Sequence, residues 1–372
     1  METRMKDRRL YLDVHVLQTV PPSCVNRDDT GSPKTAVYGG ATRARVSSQS
    51  WKKAVRDMFK EILPAEDLGV RTKRIVSMVA EEIQKLEGTE DCETKAIKIL
   101  ETAGLSIKSA EKGTDALFFI SRAQAAALAK LAVEDPETLK EKPSRDAREK
   151  AQSALRQSPG IDIALFGRMV ADAPSLNTDA CAQVAHSIST HKVSNEYDYF
   201  TAVDDLSPED NAGAGHIGTV EFNSSTLYRY ATVAVHELYK QLKDETAEAI
   251  SGFVRAFVCS MPTGKQNTFA NRTLPDAVLV TLRTDQPINL VGAFEKPVKA
   301  GRNNDEGYLT ASAQSFVIHT KEVYKNWLKE PDLSLVTGDL FAELGETHPL
   351  NELLSLLANE INHRVGNGGD EQ

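Results

Sequence analysis

The sequence predicts an α+β fold of the ferredoxin/RRM type that carries a helical insertion and a projecting β-hairpin. Three observations lead to this prediction. Strands and helices follow one another in the order βα…βαβ once two segments are set aside. One of these segments, from about 63 to 165, is rich in Ala, Glu and Lys and has few strand signals. The other has two arms of strand-forming residues around the turn-rich tip SPEDNAGAG.

Composition excludes several classes of protein. The 372 residues are 41% apolar and 26% charged, and no apolar run is long enough to span a membrane. The basic N-terminus turns apolar too briefly for a signal peptide. The four cysteines are far apart and form no CxxC pair, so neither a zinc site nor a disulfide framework is indicated. We therefore expect a cytoplasmic protein without a metal or cofactor.

Charge is distributed unevenly along the chain. The net charge is −9, which argues mildly against nucleic acid as a partner. Residues 1–60 nevertheless contain twelve Lys or Arg and only six acidic residues, whereas the remainder carries a net charge of −15. The N-terminal part is therefore predicted to bind an anion.

The first elements follow from local patterns. Leu10, Leu12, Val14 and Val16 alternate with polar residues, which predicts a half-buried strand. Residues 21–40 are rich in turn formers and predict a loop of a length that is often functional.

An extended segment and a helix come next. Arg43, Arg45 and Ser47 are predicted on one face of the extended segment. The helix then has an apolar stripe of Trp51, Val55, Met58, Phe59 and Ile62. Its predicted exposed side carries Lys52, Lys53, Arg56 and Lys60.

The later elements complete the predicted skeleton. DYFTAV and HIGTVEF are the arms of the hairpin, and TLYRYATVAV is a further strand. A helix with Ile250, Phe253, Val254, Phe257 and Val258 on one face precedes the strand AVLVTLR.

The stretch RARVSSQSWKKAVRD is the strongest candidate site. Ser47 and Ser48 stand at the predicted helix N-terminus, where unpaired N–H groups and the helix dipole favour phosphate. Lys52, Lys53 and Arg56 follow in the first turns, and two arginines precede them. The alternative is an N-cap serine followed by a solvated charged face. The two preceding arginines favour the anion site.

Other motifs are weaker. PTGKQNT lacks the first glycine and the Ser/Thr of a phosphate-binding P-loop, although Lys265 could still contact a backbone phosphate. Asp28 and Asp29 form the only acidic pair suited to acid–base or metal chemistry, and their alternative role is to organise a turn. Met169 and Phe200 are either core residues or wedges between bases of a single strand.

The segments PPSCVNRDD, YGGATRARVSSQSWKKAVR, GIDIALFGRM, AHSISTHKVSNEYDYFTAVDD and GHIGTVEFNSSTLYRYA carry a resemblance. In this order and spacing they resemble the backbone subunit of the type I-E CRISPR Cascade surveillance complex. PTGKQNTFA and AFEKPVKA fit the same pattern, and the resemblance covers residues 8–315.

The resemblance implies an RRM-like palm, helical fingers and a β-hairpin thumb. Copies would polymerise head to tail along one CRISPR RNA, and each thumb would displace one base, so that the segments between pair with target DNA. Other Cascade subunits and a recruited helicase-nuclease would be partners, and the subunit itself would not be catalytic. The implied ranges are 1–62 and 226–372 for the palm, 63–168 for the fingers, 169–192 for a palm connection and 193–225 for the thumb.

The resemblance and the charge pattern together yield the predicted RNA contacts. They are Asn26, Arg27, Lys34, Arg43, Arg45, Ser47, Ser48, Gln49, Lys52, Lys53, Arg56, Arg168, Met169, Phe200, Thr201, Val203 and Lys265. Lys140, Lys142, Arg145 and Arg148 are a possible DNA-binding row in the fingers, although acidic residues and Pro143 interrupt it. The alternative function is a metal-dependent endoribonuclease of the same superfamily that uses Asp28 and Asp29.

Overall fold

The computed structural model describes residues 9–88, 91–170, 173–202, 216–301 and 307–366. Strands and helices are mixed throughout, which confirms the predicted α+β class. The tip of the hairpin and Val203 lie outside the described residues. Within the described ranges, no helix has the length and apolar character that crossing a membrane requires.

The described residues contain fourteen strands. They are β1 (Tyr11–Ser23), β2 (Thr35–Tyr38), β3 (Ala41–Val46), β4 (Gly69–Thr72), β5 (Ile107–Ser109), β6 (Gly113–Thr114), β7 (Phe118–Ser121), β8 (Ala182–Val184), β9 (Ser187–Ser189), β10 (Glu196–Ala202), β11 (His216–Ala234), β12 (Ala277–Arg283), β13 (Leu333–Thr337) and β14 (Glu346–Thr347).

The described residues contain eleven α-helices. They are α1 (Ser48–Ile62), α2 (Ile75–Glu87), α3 (Cys92–Thr102), α4 (Arg122–Glu134), α5 (Arg145–Arg156), α6 (Ile161–Phe166), α7 (Val235–Leu242), α8 (Thr246–Cys259), α9 (Gln266–Phe269), α10 (Leu309–Asn326) and α11 (Leu350–Gly366). Short 3₁₀ turns lie at Leu290–Phe294 and Asp339–Leu344, among others.

One large sheet organises the molecule. Its strand order is β14-β13-β12-β1-β11-β9-β3-β2, and β8 and β10 also pair with β11. The central strand β1 pairs antiparallel with both β11 and β12. Helices α1, α8 and α11 pack on one face, and α10 packs on the other. We call this sheet with its covering helices the sheet domain.

The first strand differs from its prediction. Leu12, Val14 and Val16 belong to the core under α1 and α8, as predicted. Asp13 and His15, predicted to face solvent, are completely buried on the opposite face. The reason is that α10 covers that face with Phe316. No pattern within the strand itself predicts this cover.

These two buried groups respond to pH in opposite directions. Burial, together with the charge of Arg283, lowers the pKa of His15 to about 3. Below about pH 6.5, the ordinary pKa of histidine, His15 therefore takes up a proton in the unfolded chain but not in the folded chain. Stability is lost as pH falls. Burial raises the pKa of Asp13 to about 6, so its contribution to stability rises as pH falls through that value.

We expect the Asp13→Asn variant to lose more stability on acidification than the unmodified chain. Between pH 6.5 and 4.5 the uncompensated His15 costs about 2 kcal/mol, nearly all of which Asp13 normally offsets. Urea unfolding followed by tryptophan fluorescence measures the difference, because Trp51 and Trp327 both lie in the sheet domain. Equal pH slopes in the two chains would contradict these assignments.

The region from 63 to 168 has a hydrophobic core of its own. Helices α2 to α5 bury residues such as Ile83, Leu100 and Leu128 among themselves. Two small sheets, β4 with β7 and β5 with β6, lie among these helices, which the helical composition did not predict. We call this part the helical region.

The hairpin is part of a longer strand than predicted. β11 runs without interruption for 19 residues, so the predicted arm HIGTVEF and strand TLYRYATVAV are one element. β10 pairs with its first half. Phe200 lies opposite Gly218, and a Cβ atom there would stand 2.3 Å from the Phe200 ring, so glycine leaves the space that the ring occupies.

The predicted loop at 21–40 is shorter than expected. β1 continues to Ser23 despite two prolines, and β2 occupies Thr35–Tyr38. The connection that remains is 24–34. It lies beside the N-terminus of α1, where its Asn26 side chain accepts a hydrogen bond from the Ser47 N–H.

Candidate nucleic-acid interface

The N-terminus of α1 is built by two polar side chains. Ser47 is the N-cap, and its Oγ accepts a hydrogen bond from the Ser50 N–H at 3.3 Å. The Asn26 Oδ1 accepts from the Ser47 N–H at 2.9 Å. The structure therefore gives Asn26 and Ser47 structural roles, while the first turn, with Ser48 and Gln49, retains the electropositive end of the helix.

The 24–34 loop and the PTGK segment meet beside this helix end. The Lys34 N–H donates to the Asn26 carbonyl at 2.8 Å. Gly264 comes so close to Val25 that a Cβ atom would lie 2.0 Å from the Val25 carbonyl oxygen, so only glycine fits. Lys265 follows in the left-handed region with φ 45°. The glycine of the P-loop lookalike therefore has a packing role.

The result is a group of cations around the start of α1. We call Arg27, Lys34, Arg45, Lys53 and Lys265 the α1 surface. Arg27 and Lys53 line one cleft, and Lys34 and Arg45 line a second. Burial raises the pKa of the Cys24 thiol, and the charges of Lys265 and Arg27 counteract this.

Arg45 reaches the surface in part. Its Nε donates to the Thr35 carbonyl at 3.1 Å, and its Nη1 lies 3.1 Å from His186 Nδ1. Burial and the charges of Arg45 and Lys34 lower the pKa of His186. A neutral His186 accepts the hydrogen bond and adds no charge of its own.

Arg43 requires a correction. It is completely buried, and its guanidinium donates to five main-chain carbonyls. These belong to Tyr38, Ser189, Thr190, Phe294 and Glu295, at 2.8–3.3 Å. The prediction that Arg43 contacts RNA is wrong, because segments far away in the sequence cover it and use all its donors.

The predicted exposed side of α1 is divided. Lys53 is exposed and lies 2.5 Å from Asp57. Arg56 instead turns toward the helical region, where its Nε donates to the buried Asp162 at 3.1 Å and its guanidinium stacks on Phe119. Lys52 is half-buried over the Phe166 ring, and burial lowers its pKa. The prediction of one continuous exposed cationic face is corrected accordingly.

Arg168 also requires a correction. It is buried, and it donates to the carbonyls of Leu155, Leu176 and Phe119 at 2.7–3.1 Å. Its Nη1 also donates to the Gln124 Oε1 at 3.2 Å, so the guanidinium joins parts of the helical region instead of facing a phosphate in solvent. Burial lowers its pKa to about 10, so it keeps its charge at neutral pH.

The predicted base-contacting residues are on separate elements. Met169 follows α6 and is 86% exposed, and Phe200 on β10 is 42% exposed. Such exposure is unusual for core residues, so the core interpretation of these two side chains is excluded. Thr201 is exposed on β10, whereas Val203 is outside the described residues.

Asp28 organises a turn. Its Oδ1 accepts hydrogen bonds from the N–H groups of Thr30 and Ser32 at 3.0 Å and from the Thr30 hydroxyl at 2.7 Å. These hydrogen bonds lower its pKa. Within the described ranges, no group of three or more His, Cys, Asp or Glu side chains is placed to hold a metal ion.

The four candidate DNA contacts stand apart from the α1 surface. Lys140 forms an ion pair with Glu137, and Lys142, Arg145 and Arg148 are exposed near the start of α5. Glu141, Asp146 and Glu149 alternate with them.

A cleft adjoins the α1 surface. Its volume is about 290 Å³, and it separates α1 from residues 260–266. Arg27, Lys53 and Arg272 line it together with Asp57. Sequence reasoning did not single out Arg272 or Asp162, because neither is part of a recognisable motif.

Comparison with known proteins identifies the family. The model of the CT1975-like protein family matches residues 12–356. The chain belongs to this family. A chain of a solved "CRISPR RNA-guided surveillance complex, pre-nicking" is similar to this CT1975-like protein at 32% identity and a TM-score of 0.76, over 94% of this chain and 100% of that one. The sequence-based recognition of the Cascade backbone family is confirmed.

A second solved chain supports the same relationship. It comes from a "CRISPR RNA-guided surveillance complex" and is 28% identical to this CT1975-like protein, with a TM-score of 0.66. The match covers 93% of this chain and 99% of that one. No curated protein matches the sequence.

Proposed function

We propose that this protein is a cytoplasmic, non-catalytic backbone subunit that binds CRISPR RNA in a Cascade-type surveillance complex. Several copies assemble head to tail along the guide, beside other Cascade subunits, and present guide segments for pairing with target DNA. A helicase-nuclease recruited to the complex degrades the target. The observation that carries this proposal is the match, over 93–94% of the chain, to chains of solved RNA-guided complexes.

The geometry of the α1 surface supports an RNA-binding role. A helix N-terminus and several cations suit phosphate groups, which are the same in every guide. A carrier of variable guides needs this independence from sequence, because base pairing supplies the specificity. Met169, Phe200 and Thr201 provide exposed side chains that can contact a displaced base.

The same proposal assigns roles to the sheet domain, the helical region and the hairpin. The sheet domain is the palm, the helical region the fingers and the hairpin the thumb. The exposed cations Lys140, Lys142, Arg145 and Arg148 are candidates for contact with target DNA, although interspersed acidic residues weaken their field.

The direct test is whether the protein carries RNA. The chain is co-expressed with a guide array and its partner subunits and then purified. An ultraviolet spectrum with nucleic-acid absorbance and one discrete small RNA on a denaturing gel are expected. Protein that is free of RNA under these conditions contradicts the proposal.

We expect target RNA to remain intact to the same degree with the Asp28→Ala/Asp29→Ala variant as with the unmodified chain. Asp28 is occupied by its turn, and its lowered pKa makes it a poor general base. The measurement follows a labelled target RNA in assembled complexes with and without Mg²⁺. Metal-dependent cleavage that disappears in the variant would replace the scaffold proposal with the endoribonuclease alternative.

A further inference from the structure

Three arginines are buried behind the predicted RNA contacts. Arg43, Arg168 and Arg229 are 0%, 4% and 1% exposed. Within the described residues, no carboxylate forms an ion pair with any of them. Buried charges are normally paired, because removal from water is costly. Here oxygen atoms of carbonyl and amide groups accept hydrogen bonds from the guanidinium groups, although the Arg229 Nε finds no partner among the described residues. The positive charges are left uncompensated.

Arg229 shows this most clearly. Its Nη1 donates to the Gln18 side chain at 2.6 Å, and its Nη2 donates to the Phe257 carbonyl in the last turn of α8. The negative end of the α8 dipole stabilises the cation without adding a full negative charge. Burial lowers the pKa of Arg229 to about 9, so it stays protonated at neutral pH.

Each of these arginines is next to a predicted contact. Arg43 precedes Arg45 by two positions, and Arg168 precedes Met169. The Arg229 guanidinium lies 3.7 Å from the centre of the Trp51 ring, under the first turns of α1. Arg229 therefore places positive charge beneath the first turns of α1, and Arg43 places it in the strand that carries Arg45.

A buried charge acts on a surface anion differently from an exposed one. Part of the path between them is protein of low polarisability, and counter-ions cannot gather around the buried group. At an effective dielectric constant of about 20, a unit charge about 10 Å away strengthens binding of an anion roughly tenfold. Salt weakens this contribution less than it weakens that of a solvated lysine.

We propose that Arg43 and Arg229 are positioning residues that raise the positive potential of the α1 surface from within the protein. This inference rests on the proposed function. It accounts for how a chain of net charge −9 attracts RNA to a surface that has few exposed cations of its own. The ligand class is the phosphodiester backbone of single-stranded RNA.

The test compares Arg229→Gln with Arg229→Lys, since both replacements keep N–H donors and only lysine keeps the charge. A labelled oligouridine is titrated with the full chain at low and at high salt, and urea unfolding is measured in parallel. Arg229→Gln is expected to bind roughly tenfold more weakly at both salt concentrations. Arg229→Lys should stay within about twofold of the unmodified chain. The comparison variant Lys53→Ala should lose affinity mainly at low salt.

The outcomes separate the alternatives. Equal losses in the glutamine and lysine variants would show a structural role and overturn the inference, as would normal binding by Arg229→Gln. Failure of the unmodified chain to bind oligouridine would overturn the proposed function itself. Arg43→Gln and Arg43→Lys repeat the comparison at a second position, and they decide the question if the variants at 229 do not fold.

Discussion

The variant with Arg27, Lys34 and Lys53 replaced by alanine is expected to lose at least about a hundredfold in affinity for single-stranded RNA at low salt. These three cations belong to the α1 surface, which we propose as the site of phosphate binding. Loss of three phosphate contacts from a single strand also lowers the slope of log K against log salt by about 2. Fluorescence anisotropy with a labelled oligouridine over a salt series measures both quantities.

The matched control is the variant with Lys85, Lys98 and Lys130 replaced by alanine. These lysines are exposed in the helical region, and their replacement removes the same three positive charges. At 0.1 M salt their loss should change affinity by no more than about threefold, because exposed charges beyond the Debye length of about 10 Å at that ionic strength are screened. Equal losses in the two triple variants would mean that net charge alone governs binding and that the α1 surface is not the site.

Asp162→Ala is expected to destabilise the protein by about 3–5 kcal/mol, the usual cost of removing one partner of a buried ion pair. Asp162 is 3% exposed and joins the sheet domain to the helical region. It accepts from Arg56 on α1 at 3.1 Å and from the Gly69 N–H of β4 at 2.7 Å. Without it, the Arg56 charge and the Gly69 N–H both lack a partner. Urea unfolding and limited proteolysis between residues 62 and 75 measure the effect.

Asp57→Ala is the control from the same helix. Asp57 also contacts two cations, Lys53 and Lys60, but it is half exposed to solvent. Exposed pairs of this kind contribute about 0–1 kcal/mol. A comparable destabilisation by both alanine variants would show that the junction is not held by the buried pair.

Local chemistry made part of the site predictable. The Ser47 cap and the stripe containing Trp51 and Val55 follow from residues that are neighbours along the chain, and the structure has both. Motif order was sufficient for the family, because many short segments keep their spacing over most of the sequence. The hairpin arms could also be predicted, since strand alternation and turn residues are local signals.

Burial was the part that local patterns could not supply. Arg43 and Arg45 share one face of a short strand, yet only Arg45 reaches solvent in part. The difference comes from the carbonyls of Thr190 and Phe294, which approach Arg43 from distant segments. Arg56 likewise left the predicted exposed face because Asp162, 106 positions away, accepts its hydrogen bond.

The sequence by itself determined the α+β class, the family and the place where positive charge gathers along the chain. These depend on composition, spacing and interactions over a few residues. Only the tertiary structure decided which of those charges face solvent and which lie beneath the surface as buried arginines. The physical reason is that burial depends on contacts between segments that the sequence separates by a hundred residues or more, as for Arg43 with Ser189 and Arg56 with Asp162.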